Sequence, residues 1–309
     1  MAKVQVRAAI VAGVGLIRRR PLSMLAWGVL PVLLQVATLL AVAPIYLTLF
    51  GPALQAMGGY HPGVAPPPPP TQSFQLQGLV QLANLVELVV GAVISCAIWR
   101  SILHPERSSF ASVRVGKPEL LFAVLSFAGT IALTVGLIVL LIPTFILGGI
   151  VGGISHDVNI AMAVALPAFT LVALVVACYL LLRFSLVGPM MVADGRFHLF
   201  ESWSRTRGHV GSLLLVGLGV FGLALLCQIV VLVVLFAIGG AAVFAVGGLG
   251  AVTTMIQHSP QALLGKLWPF LAGYSVLLIP IDGCLAAIIG APWARVYQDL
   301  HPDTSDVFA

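Results

Sequence analysis

Charged side chains are absent from the chain between Arg20 and Glu87, between Glu119 and Asp157, between Asp157 and Arg183, and between Arg207 and Lys266. A helix needs about 20 consecutive apolar residues to cross the hydrocarbon of a bilayer, so intervals of this length mark membrane spans. The pattern predicts six, over residues 22–50, 79–99, 119–147, 158–182, 210–238 and 267–292. Between the first two, residues 51–78 are expected to form an outer loop. Its proline run at 66–70 predicts a stiff polyproline II spacer. The Gly-rich stretch 239–258 has three readings: a re-entrant piece, a short seventh span, or a loop packed on the outer face.

Composition bears this out, since 60% hydrophobic and 8% charged residues exclude a soluble globular chain, in which charges make up about a quarter. The expected class is an all-α polytopic membrane helical bundle, one integral membrane domain over residues 1–309. The formal charge of +5 could point to nucleic acid, but the basic residues sit at helix ends and are read as topology instead. Of the 15 Lys and Arg, 14 fall on one side of the six-span arrangement and only Lys266 on the other. By the positive-inside rule that side is cytoplasmic and holds both termini, as in a bacterial inner membrane. A seventh span would move Lys266 inside and Arg295 outside, so six fits the charges better.

Lys3 and Arg7 followed by apolar residues 8–17 imitate a signal peptide, but Arg18, Arg19, Arg20 and Pro21 follow where a small-residue cleavage site would stand, so no processing is expected. Cys96, Cys178, Cys227 and Cys284 lie in apolar runs without metal-site spacing and are read as buried small hydrophobes.

Features repeat along the chain. WRSILHPE (99–106) and WARVYQDLHPD (293–303) both set Arg beside Trp and close on Leu-His-Pro-acid. LIRRRPLSML, VRVGKPELLF and SRTRGHVGSLLL each place basic residues before a breaker and a new span. These predict three helical hairpins, each introduced by a cytoplasmic interfacial amphipathic helix. Residues 1–20 would form one such helix, residues 183–209 an amphipathic joint, and residues 296–309 a short tail.

Two acids fall well inside spans, Glu87 and Asp282, and ionisable groups within a membrane are functional candidates by default. Each lies 13 residues before a basic residue, Arg100 or Arg295, hence about 20 Å from the rim at about 1.5 Å per residue. Asn84 shares a helix face with Glu87. Either the acids line a path for protons, cations or a polar substrate, or they pin helices together through hydrogen bonds. In the joint, Phe197, Phe200 and Trp203 are expected on one helix face, with His198, Glu201 and Arg205 towards the other, the pattern of a headgroup-level helix. Arg18, Arg19, Arg20, Trp99, Arg100, Arg183, Trp203, Arg205, Arg207, Trp293 and Arg295 are the expected lipid-headgroup or interface anchors.

Zinc-protease, nucleophile-elbow, phosphate-loop and dinucleotide signatures are absent, and GGISHD (152–157) matches none of them. No catalytic residue, metal or cofactor is predicted. Partners are expected to be anionic lipid headgroups, with a protein partner or a second copy possible, and not nucleic acid.

The stretch RFSLVGPMMVADGRFHLFESWSRTRGHVGSLLLV (183–216) resembles the helix-end R-x-S-L-x-x-P, S-W-x-x-T-R-G and following span of the superfamily that contains the glycerophosphoryl diester phosphodiesterase membrane domain and YciC-type inner-membrane proteins. IRRRPLSML and RVYQDLHPD add to it. The resemblance implies the membrane portion alone, because the 14 residues after Arg295 fall far short of the about 250 of a catalytic barrel.

Overall fold

The computed structural model describes residues 4–58, 72–107, 110–155, 158–195, 199–258 and 260–301. Its elements are α1 (Val6–Arg19), α2 (Pro21–Gly58), α3 (Gln72–Leu103), α4 (Lys117–Ser155), α5 (Val158–Phe184), α6 (Val187–Asp194), α7 (Leu199–Arg205), α8 (Val210–Val246), α9 (Leu249–His258) and α10 (Pro260–Leu300). No strand occurs among the described residues, and six of these helices are long and apolar enough to cross a membrane. The chain is an all-α, multi-pass membrane protein. α2 pairs with α3, α4 with α5, and α8 with α10, matching the expected hairpins.

Several boundaries differ from the sequence expectation. α2 runs on to Gly58 and α3 begins at Gln72, so both flanks of the segment 51–78 are helical, and the proline run lies outside the described residues. α8 continues to Val246. Gly247 and Gly248 then turn the chain at φ of 109° and 90°, a region open to Gly at little cost. The 10-residue α9 follows, too short to span, and packs against α2, α8 and α10.

Only two hairpins are introduced by helices on the expected plan. Ahead of α4 the chain instead makes two single 3₁₀ turns, Pro105–Arg107 and Phe110–Ser112. Ala111 and Ser112 adopt φ of 58° and 50°, so the carbonyls of both face inward. The Trp27 indole donates to Ala111 O at 2.8 Å and Arg100 donates to Ser112 O at 2.7 Å. Buried partners for these groups repay the unusual backbone.

Burial is concentrated towards one end of the bundle, the collar, where α1, α6 and α7 lie. One packed cluster joins Ala9, Cys96, Trp99, Leu186, Met190, Leu213, Val216 and Tyr297; a second joins Leu16, Met24, Trp27, Ala97, Ile98 and Ala287. Away from the collar the spans turn large apolar side chains outward, such as Ile142, Phe145, Leu174, Phe221 and Phe236. That is the surface expected where lipid is the solvent. Cysteine burial departs from expectation in the same way. Cys96 is buried, but Cys178 is exposed on α5 and Cys227 and Cys284 are intermediate.

Small residues set the helix spacing, as is usual where lipid tails provide no hydrophobic drive between helices. A Cβ on Gly28 would overlap the Ile279 carbonyl, and one on Gly283 the Met24 carbonyl, so α2 and α10 touch backbone to backbone. α1 docks equally closely, since a Cβ on Gly13 would lie 2.7 Å from Ile288 Cα. Thus α1, expected only at the interface, has one face buried on α10 and α8, with Ala9, Gly13 and Leu16 inside.

Candidate functional site

The successive contacts Gln5 with Asp299, Gly13 with Ile288, Met24 with Gly283 and Gly28 with Ile279 show α1 and α2 running in one sense, antiparallel along α10. Asp282 therefore lies near the level of Met24, four residues from Arg20 or about 6 Å of helix rise. The sequence distance of about 20 Å holds from Arg295 but not from Arg20. Basic residues of the collar stand at two levels, which a count along single helices could not reveal.

Glu87 and Asn84 on α3 line an open groove of about 560 Å³ between α3 and α2. The facing wall is Pro31, Leu34, Gln35, Thr38, Leu39 and Val42. Glu87, Asn84 and Gln35 are exposed, although they lie well inside the apolar spans. Asp282 on α10 is close enough to Glu87 to interact electrostatically. Its Oδ2 is buried and has no hydrogen-bond partner among the described residues. The structure brings the two acids into one neighbourhood, with Asn84 beside Glu87 and Asp282 behind.

Gln35 and Thr38 were missed by sequence reasoning, and their signal was available. They stand three apart near the middle of a mostly apolar span, with the same spacing as Asn84 and Glu87 in theirs. Gln77 and Gln81 extend the same side of α3, exposed like Asn84 and Glu87. The spacing 77, 81, 84, 87 follows the helical repeat, so these polar groups form one stripe from the far end of α3 to Glu87.

At the collar, two expected interface anchors prove to be interior. Trp99 is 5% exposed, donates its indole N–H to Gly290 O at 3.0 Å and meets Phe122 edge to face at 4.8 Å. Arg100 pairs with Glu119, which is itself 2% exposed. The second Glu119 oxygen accepts the Gly116 N–H at 3.1 Å, so the carboxylate also caps the start of α4. Glu119 was counted from sequence only as a span boundary. Position relative to a helix end does not distinguish a headgroup anchor from a buried counterion.

The joint 183–209 is likewise not one amphipathic surface. α6 is buried from Val187 to Met191, with Gly188 against the Trp99 ring, and it ends at Gly195 in the left-handed conformation. α7 begins at Leu199; Phe197 and His198 lie outside the described residues. Phe200 is fully outward at 83% exposure, whereas Trp203 folds back on Tyr179 and Phe184 with centroids at 5.8 and 5.7 Å. Arg183 sits in this aromatic corner, 5.2 Å from the Tyr179 ring centroid and 4.9 Å from that of Trp203. It donates to Tyr179 Oη at 3.1 Å, to Trp203 O at 3.3 Å and to Thr206 Oγ1 at 3.4 Å. Arg205 pairs with Glu201 at 3.0 Å and Arg295 with Asp299 at 3.4 Å, while Trp293 is half-buried against the first cluster. Arg20 donates to Pro105 O at 3.3 Å.

The outward-facing basic residues at this end keep Arg18, Arg19 and Arg207 of the expected anchors and add Arg7, Arg114 and Lys117. Arg7, Arg18, Arg19, Arg114, Lys117 and Arg207 are exposed, and none has an ion-pair partner among the described residues. No cluster of three or more potential metal ligands occurs among the described residues. No protein-family model matches the chain, and no curated protein or solved structure matches it.

Proposed function

We propose that this membrane protein acts without catalysis, as a scaffold in a bacterial inner membrane whose basic collar holds anionic lipid headgroups or a protein partner, in envelope organisation or lipid homeostasis. The observation that carries the reading is the set Arg7, Arg18, Arg19, Arg114, Lys117 and Arg207, exposed and without an ion-pair partner among the described residues, while Arg100, Arg205 and Arg295 are paired within the fold. Each such charge near an anionic leaflet contributes about 1 kcal/mol. The positive-inside rule places this end, and both termini, in the cytoplasm. Resemblance to the glycerophosphoryl diester phosphodiesterase membrane domain and YciC-type proteins supports a membrane role of the same kind.

The test is thermal stability in nanodiscs. Phosphatidylglycerol added to a zwitterionic bilayer should raise Tm for the native chain, and the gain should vanish when Arg18, Arg19, Arg114 and Arg207 are changed to Gln. Equal Tm in both bilayers would refute lipid recognition.

A second reading, a small transporter, is favoured by one observation: the polar stripe of α3 leads to Glu87, with Asp282 behind it. It predicts that Glu87→Gln with Asp282→Asn abolishes solute flux in proteoliposomes and leaves the lipid-dependent Tm gain intact.

A further inference from the structure

The groove between α2 and α3 presents a physical problem. A carboxylate at this depth is costly unless something of opposite charge, or a proton, accompanies it. Among the described residues Glu87 has no ion-pair partner and stands exposed, and Asp282 adds a second acid behind it. The described residues supply no cation to meet this acid.

Volume and lining narrow the occupant. A space of about 560 Å³ falls in the range of small-molecule sites, about 300–1,000 Å³, and is far too large for a bare ion. Its walls are apolar apart from four convergent polar side chains, Gln35, Thr38, Asn84 and Glu87. The lining runs from Pro31 to Ala43 on α2, so the groove is about 18 Å long at about 1.5 Å per residue. Glu87 packs towards the collar end of that length and Val80 towards the other. The groove is open along its side, and beside its polar groups α2 and α3 also turn Leu33, Leu40, Leu82 and Leu85 outward, so an occupant reaches it from the hydrocarbon.

We propose that the groove binds a hydrophobic monocation, such as a lipophilic ammonium or phosphonium, with its charge against Glu87 and its apolar body along the Pro31, Leu34 and Val42 wall. The amides of Gln35 and Asn84 accept from N–H groups where the cation has them. A second copy of the chain fits less well, because a symmetric pairing through this face would bring Glu87 towards its own copy and leave the groove volume unfilled. The site deepens the transporter reading by naming a substrate class, and rests on it only for the importance of Glu87. Binding without flux would keep the site and remove transport, so the two fail separately.

The experiment is equilibrium binding of tetraphenylphosphonium to the full chain in zwitterionic nanodiscs, with empty nanodiscs subtracted. Saturable binding is expected, weakened at least ten-fold by Glu87→Gln and blocked by Val80→Trp, which fills the part of the groove that holds the apolar body. Unchanged Tm for both variants verifies that the fold survives. Triphenylphosphine oxide, neutral and of similar shape, should not displace the cation. Binding no greater than in empty nanodiscs, or full affinity in either variant, would overturn the proposal. So would an intermolecular disulfide formed by Asn84→Cys in a chain with its native cysteines replaced by Ala, which would assign the groove to a second copy.

Discussion

Arg100 on α3 and Glu119 on α4 form an ion pair inside the collar, with Arg100 also tied to the Ser112 carbonyl and Glu119 to the Gly116 N–H. The pair fastens the second hairpin to the first. A buried ion pair barely stabilises relative to apolar packing, yet removing one partner strands the other charge.

Glu119→Gln should therefore destabilise the protein by about 3–5 kcal/mol, the cost typical of an uncompensated buried charge. Arg100→Gln combined with Glu119→Gln should recover part of that loss. Thermal unfolding of the single and double variants in one detergent measures the coupling; additive losses would mean the pair is not a unit.

The crossing of α2 and α10 rests on Gly28 and Gly283, where backbone meets backbone. Gly28→Ala and Gly283→Ala should each cost about 1–3 kcal/mol or more, because no flexible side chain can yield. Gly78→Ala, whose added methyl meets nothing within 4 Å, is the control and should leave Tm unchanged or slightly raised.

Arg183 binds α7 to α5 through a fork of donors and two ring faces. Lys keeps the charge but not the planar fork, so Arg183→Lys should loosen α7 much as Trp203→Ala does. Amide hydrogen exchange over residues 199–205 should quicken in both variants while exchange in α10 stays unchanged.

His301, just past the end of α10, stacks on Tyr297 at 4.4 Å and its Nδ1 lies 3.1 Å from the Tyr297 carbonyl. Burial holds the ring below its ordinary value near 6.5, and Arg205 acts in the same direction; the Tyr297 carbonyl, Asp194 and Glu201 oppose them. The unfolded chain consequently takes up its proton first as pH falls. This contribution to stability is whole above about pH 6.5 and is lost as pH drops from there towards the folded value. A Tm profile between pH 7.5 and 5 should show the decline, and His301→Phe should reduce its slope.

Hydropathy located six spans, because any stretch long and apolar enough is solvated by hydrocarbon whatever its neighbours, and the features repeated beside the spans grouped them into three hairpins. The acids Glu87 and Asp282 were legible for the same reason, as costly exceptions within those stretches. Hydropathy could not tell Trp99 and Arg100, which turn inward, from Arg18 and Arg19, which turn outward: a helix-end cation reads alike whether it meets headgroups or Glu119. Nor could it choose among the many glycines the few that let α1, α2 and α10 touch. The amino-acid order decided which segments leave water, since that depends on transfer free energies summed along each segment. Tertiary structure alone decided which side chains face lipid, which face one another and which remain free to bind, since those outcomes depend on contacts between residues far apart in the chain.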